Sequence, residues 1–158
     1  MKTSEGGFTL VEILIVIMII AILAGMLLLA TGMSLDSTEA AKVIGDLRNL
    51  KSAAMLYYSD NLKWPTNTEV ESLDIYADRP ICAADPPRYA YVSIGTPYLD
   101  AAGQERVNMG IGLFADGNGS PGIQKKLAAR AGDVGILGSA FDASALYTGG
   151  ADVFINLK

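Results

Sequence analysis

Hydrophobic and polar positions divide the chain into stretches with different periods. Residues 13–30 are apolar or Gly without interruption, 18 in a row, so no polar face exists in any register. Phe8-Thr9-Leu10-Val11-Glu12 leads into this run, and 8–30 is a stretch of 23 residues. As a helix it spans roughly 35 Å, against a hydrocarbon core of roughly 30 Å. A helix that is apolar all round needs lipid or complete burial, and the remaining chain is too small to enclose it. A secretory signal peptide would carry small residues in an A-x-A-like pattern after the run. Leu27-Leu28-Leu29-Ala30-Thr31-Gly32-Met33 offers a poor site, and no Cys follows to accept a lipid.

From residue 34 to about 61 the pattern changes. Val43, Leu47, Leu50, Ala54, Tyr57 and Tyr58 recur at spacings of three and four, with Lys42, Asp46, Asn49 and Ser52 towards the other side. This predicts an amphipathic helix. Asp36-Ser37-Thr38-Glu39 offers a capping box for a separate helix, and Gly32 offers a break. Neither forces one, and a continuous rod over 8–60, with at most a bend near Gly32, is the favoured reading.

Trp64-Pro65 closes that helix. Residues 66–87, with Pro80, Pro86 and Pro87, predict a loop over the domain with a short helix at 69–76. Residues 88–94 and 107–115 read as strands, paired across a turn at 100–104, and a third strand is predicted at 152–157. A short helix is predicted at 122–131, with Lys125, Lys126 and Arg130 outward. Twelve of the 17 glycines lie from Gly95 onward, so the second half is turn-rich. Tyr57, Tyr58 and Trp64 read as core beside the sheet rather than as a ligand platform.

Composition narrows the function. With 158 residues the chain suits one domain plus an appendage. Its net charge of −5 and lack of a basic block give no electrostatic footprint for nucleic acid. There is no His, which removes the usual proton shuttle and the commonest metal ligand. Cys82 is the single Cys, so neither an intramolecular disulfide nor a Cys-based zinc site can form, and it reads as a small buried residue. No triad can be assembled, and nothing groups the 17 acidic residues into a carboxylate pair. No catalytic residues and no enzymatic activity are therefore expected. Asp116-Gly117-Asn118-Gly119-Ser120 resembles the start of a calcium loop, but Pro121 and Leu127 stand where the sixth-position Gly and twelfth-position Glu belong. A turn is the better reading. No cofactor is expected.

The anomaly is Glu12. An ionised carboxylate within a bilayer costs at least a few kcal/mol and needs a reason. A cut between Gly7 and Phe8 supplies one, because it creates a cationic α-amino group at the start of the apolar helix. Glu12 shares a helix face with Phe8. It would neutralise that amine within the chain or on a neighbouring copy, relieving two desolvated charges. Pairing between copies would also set their axial stagger.

Gly7-Phe8-Thr9-Leu10-Val11-Glu12 and the apolar run resemble the leader and N-terminal segment of type IV pilins and type II secretion pseudopilins. The match is close over about the first 30 residues and extends further only in layout. The resemblance implies cleavage after Gly7 by a membrane prepilin peptidase, N-methylation of Phe8, and Glu12 as the assembly glutamate. It implies a pilin-like α+β fold: a long N-terminal helix, membrane-spanning in its first half and amphipathic in its second, packed on a small antiparallel sheet. The corresponding boundaries are 1–7 leader, 8–31 transmembrane or filament-core helix, 32–61 amphipathic helix half and 62–158 globular head. Many family members carry a Pro late in the apolar segment. Here Leu27–Ala30 has none, so Gly25 and Gly32 are the candidate weak points for local helix melting. Some pseudopilins hold calcium in C-terminal loops, which makes Asp116, Asn118 and Asp133 the residues to test for a different calcium geometry.

The implied function is a structural subunit of a type IV pilus or pilus-like filament, polymerising with itself through residues 8–61. Its other partners would be the prepilin peptidase, the pilus or type II secretion assembly machinery and, before assembly, the lipid bilayer. The implied location is the cytoplasmic membrane, single-pass with an extracytoplasmic head, then an extracellular or periplasmic filament. The alternatives are the major pseudopilin of a type II secretion system, a minor pilin, or a membrane-anchored extracytoplasmic binding or enzyme domain.

Overall fold

The computed structural model describes residues 7–83, 86–114, 117–142 and 144–158, without the side chains of 29–34. The chain divides into two compact units, Met1–Leu35 and Asp36–Lys158. Helix α1 (Leu10–Asn61) contributes to both and is one unbroken element of 52 residues, as the rod reading expects. It starts at Thr9. The Thr9 carbonyl accepts the Ile13 N–H at 3.3 Å, and its Oγ1 accepts the Glu12 N–H at 3.2 Å. Thr9 is thus the N-cap, and Thr-x-x-Glu is the sequence signature of a capping box.

Within the first unit, Leu10–Leu28 is a 19-residue apolar span of which none is buried. The second unit is built on one core. Val43, Leu47, Leu50, Ala53 and Ala54 of α1 are completely buried in the same cluster as Met109, Ile111, Val153 and Ile155 of the sheet. Tyr57 joins them, and Trp64 packs against the cluster from outside.

A short 3-10 helix (Val70–Ile75) follows, one residue inside the predicted bounds at each end. The sheet comprises β1 (Tyr91–Ile94), β4 (Asn108–Gly112), β5 (Ile136–Leu137) and β6 (Asp152–Asn156), in the antiparallel order β1-β4-β6-β5. β1 and β4 pair as predicted, but their connection carries its own small hairpin, β2 (Tyr98–Leu99) with β3 (Glu105–Arg106). The turn at 100–104 closes this inner hairpin, with Asp100 Oδ1 accepting from Ala102 N and Gln104 N at 2.9 Å each.

Helix α2 (Pro121–Val134) is longer than predicted because both ends are capped. Ser120 Oγ accepts from Ile123 N, Pro121 occupies the first turn, and Gly135 takes the left-handed conformation at φ 75° that ends the helix. The 3-10 helix lies against β1. Exposed sheet edges invite pairing with other chains, and the outer side of β5 is closed by an antiparallel bridge from Leu137 to Leu146, with Gly138 N donating to the Ala145 carbonyl and Tyr147 N to the Ile136 carbonyl.

Candidate functional site

Gly7, Phe8 and Thr9 precede the first helical turn. A Cβ built on Gly7 meets nothing within 4 Å, and Phe8 is 77% exposed. The Gly7–Phe8 bond therefore lies in accessible, non-helical backbone immediately ahead of the cap. Glu12 stands in the first turn of α1, exposed, and is the one acidic residue there. Its side chain is the single charge within an otherwise apolar surface running to Leu28. The structure adds Thr9, which sequence reading passed over. Its signal was present in the Thr-x-x-Glu spacing, hidden because Glu12 was read only as a membrane charge.

Gly25 and Gly32 both lie inside the unbroken helix. Asp116 lies outside the described residues. Asn118 uses its amide within the fold: Oδ1 accepts from Phe114 N at 2.9 Å, and Nδ2 donates to the Arg88 carbonyl at 2.8 Å. Asp133 is exposed on α2. Among the described residues no group of three or more Asp, Glu, His or Cys is placed to hold a metal ion.

Head residues fix the amphipathic half of α1 through one buried charge. Periodicity assigns Asp46 to the polar side of the helix, yet it is 1% exposed. Its carboxylate accepts from Arg79, from Arg88 Nε at 2.7 Å and from the Tyr89 hydroxyl at 2.7 Å. Arg88 Nη2 also reaches Glu39 Oε2 at 3.3 Å, two helical turns before Asp46. A buried carboxylate is tolerated only with such company. Burial, reinforced by the bond to Asp46, holds the Tyr89 phenol well above its ordinary range. The two arginines and the tyrosine come from the 62–90 connection, so this cluster bolts that connection to α1.

A second carboxylate organises the same connection. Asp74 Oδ1 accepts from Ile81 N at 2.8 Å and Cys82 N at 3.0 Å, and Oδ2 accepts from Ala83 N at 2.8 Å. Burial pushes the Asp74 carboxyl up, but the three backbone donors together outweigh it and hold it below the ordinary carboxylate range. Cys82 is half-buried. Burial, then the neighbouring Asp74 charge, push its thiol up to about 12.

A helix with an apolar half, followed by a head in which its amphipathic half packs on a small antiparallel sheet, is a pilin-like α+β architecture. The family model described as the prokaryotic N-terminal methylation motif matches residues 2–28. The chain is 31% identical over 88 residues to type II secretion system core protein G of Aeromonas hydrophila, covering 56% of this chain and 60% of the relative. It is 33% identical over 90 residues to the protein of the same name from Escherichia coli, 56% of this chain and 62% of the relative. It is 39% identical over 67 residues to type IV major pilin protein PilE1 of Neisseria gonorrhoeae, 42% of this chain and 41% of the relative. The chain is thus similar to type II secretion system core protein G and to type IV major pilin over about half of its length, and carries the methylation motif at its start. It spans from two fifths to about three fifths of the length of these relatives.

Proposed function

We propose that the chain is a structural subunit of a type IV pilus or pilus-like filament, and the substrate of processing rather than an enzyme. The prepilin peptidase cuts after Gly7 and N-methylates Phe8. The subunit then waits in the cytoplasmic membrane with its head on the extracytoplasmic side. On assembly its apolar helix leaves lipid for the helices of other copies, and Glu12 meets the N-terminus of a neighbour. The observation that carries this reading is the single carboxylate at the capped start of a fully exposed apolar span. An apolar span of which none is buried is suited to lipid first and to copies of itself afterwards, since both environments are apolar.

Mass spectrometry of the mature N-terminus tests the processing step. The expected species begins at N-methylated Phe8. An intact Met1, or cleavage after Ala30, rejects the reading. Glu12→Ala tests the register step, with loss of filaments expected and normal filament yield and stagger counting against it.

The second reading is the major pseudopilin of a type II secretion system. It is favoured by the relatives named core protein G and by the single Cys, which leaves no disulfide to close a C-terminal loop. Deletion separates the two. Lost secretion with surface fibres intact supports the pseudopilin, and lost fibres support the pilus.

A further inference from the structure

Most cations of the head are already matched. Lys42, Lys63, Arg79, Arg88, Arg106 and Lys158 each pair with a carboxylate of the same chain. Five cations among the described residues enter none of these pairs: Arg48 and Lys51 on α1, and Lys125, Lys126 and Arg130, which form the larger group, on α2. Lys125 and Arg130 are exposed, and Lys126 is half-exposed. Ala129 and Gly132 share the exposed face with Lys125, so nothing bulky rises between the cations. Asp133 is the one acid on that face, at its C-terminal end.

The 3-10 helix and its flanks carry the complementary set. Ile75, at the end of the 3-10 helix, is 83% exposed, an apolar side chain with no cover. Glu71 and Asp78 flank it, exposed, and neither is in an ion pair. Asp74 between them is fixed by its three backbone donors. An apolar knob with acidic flanks thus stands on the 3-10 helix beside β1, and a flat seat with basic flanks on α2.

We infer that these two surfaces bind each other between copies of the chain: Ile75 seats on Ala129 and Gly132 of the next head, with Glu71 and Asp78 meeting Lys125 and Arg130. The occupant is a second copy because the charges complement each other and both halves belong to every chain. The contact is heterologous, joining two different surfaces of the chain, so a row of copies leaves a free half at each end and propagates. Complementary charge of this kind sets register and excludes wrong neighbours more than it adds affinity. This rests on the filament reading and says which head surfaces meet within it.

The test uses full-length chain in its native host. Ile75→Cys and Ala129→Cys, combined with Cys82→Ser, are oxidised in assembled filaments. A ladder of disulfide-linked multimers is expected, absent from either single-Cys chain. Glu71→Lys with Asp78→Lys, or Lys125→Glu with Arg130→Glu, each lower filament yield by about tenfold, and the four changes together restore it. Filaments without a ladder, or reversals without mutual rescue, overturn the interface while the filament reading stands. No filaments from the parent chain overturn both.

Discussion

Phe154 of β6 stands directly opposite Gly110 of β4, and its ring occupies the space a Cβ on Gly110 would need. Tyr91 of β1 covers Gly112 in the same way. β4 is therefore bare at Gly110 and Gly112 and roofed there by aromatics from both neighbours, which protects its backbone where it has no side chains of its own. Gly110→Ala forces the ring aside and is expected to cost about 1–3 kcal/mol. In a Phe154→Ala background the same change costs little. Urea unfolding of the four chains measures the coupling, and additive effects would show that the ring is not what excludes the Cβ.

Asp46 offers a second check. Asp46→Ala leaves the buried Tyr89 hydroxyl without its acceptor, detaches Arg79 from α1 and leaves Arg88 held there by Glu39 alone. The expected loss is about 2 kcal/mol. Tyr89→Phe in that background should be close to neutral, because the stranded hydroxyl goes with it. A large further loss would assign Tyr89 a different role.

Asp74 gives the acid side of the stability profile. Its folded carboxyl sits below the ordinary range, so its contribution is complete above about pH 4 and is lost as pH falls through the lower, folded value. Protection of the Ile81, Cys82 and Ala83 amides, relative to their intrinsic exchange rates, should therefore fall at acid pH before the sheet opens. Asp74→Ala should show that loss of protection already at neutral pH. Unchanged protection in the variant would contradict the assignment.

Cys82 gives the alkaline side. Its thiol is pushed up to about 12 in the fold, against roughly 8.5 for a free Cys. The folded state then holds its proton where the unfolded state has released it, so this contribution is present below about pH 8.5 and fades as pH rises towards 12. The thiolate is the reactive form, so alkylation at pH 8 should run at least ~100-fold slower in the folded chain than in urea. Equal rates would mean that the thiol is not held protonated.

The long elements were legible because each rests on a pattern many residues long. The apolar run and the three-four spacing of Val43, Leu47, Leu50, Ala54 and Tyr57 survive any single exception. What escaped rests on one or two residues. β5 is only Ile136–Leu137, too short for a period, and exists because it finds β6. The β2–β3 hairpin is equally short. Asp46 was misjudged because a charge on a helix reads as solvent-facing. Only its partners Arg79, Arg88 and Tyr89, more than thirty residues away, make its burial tolerable. In the candidate site, Gly7, Phe8 and Glu12 stand together as a string, and the Thr9-x-x-Glu12 spacing carries the cap signal, which the backbone geometry makes explicit.

That cap has a consequence for the order of maturation. Thr9 lies after the Gly7–Phe8 bond, so loss of the leader leaves the start of α1 intact. The cut proposed here does change the charge at that end. A helix carries partial positive charge at its N-terminus, and a new ammonium one residue ahead of the cap adds to it. The precursor has no such excess, and Glu12 in its first turn already balances the helix dipole. The processed chain has more positive charge there than one carboxylate offsets within its own helix. Cleavage would thereby create a local deficit of negative charge that a neighbour's Glu12 can fill, giving the processed subunit a reason to associate that the precursor lacks.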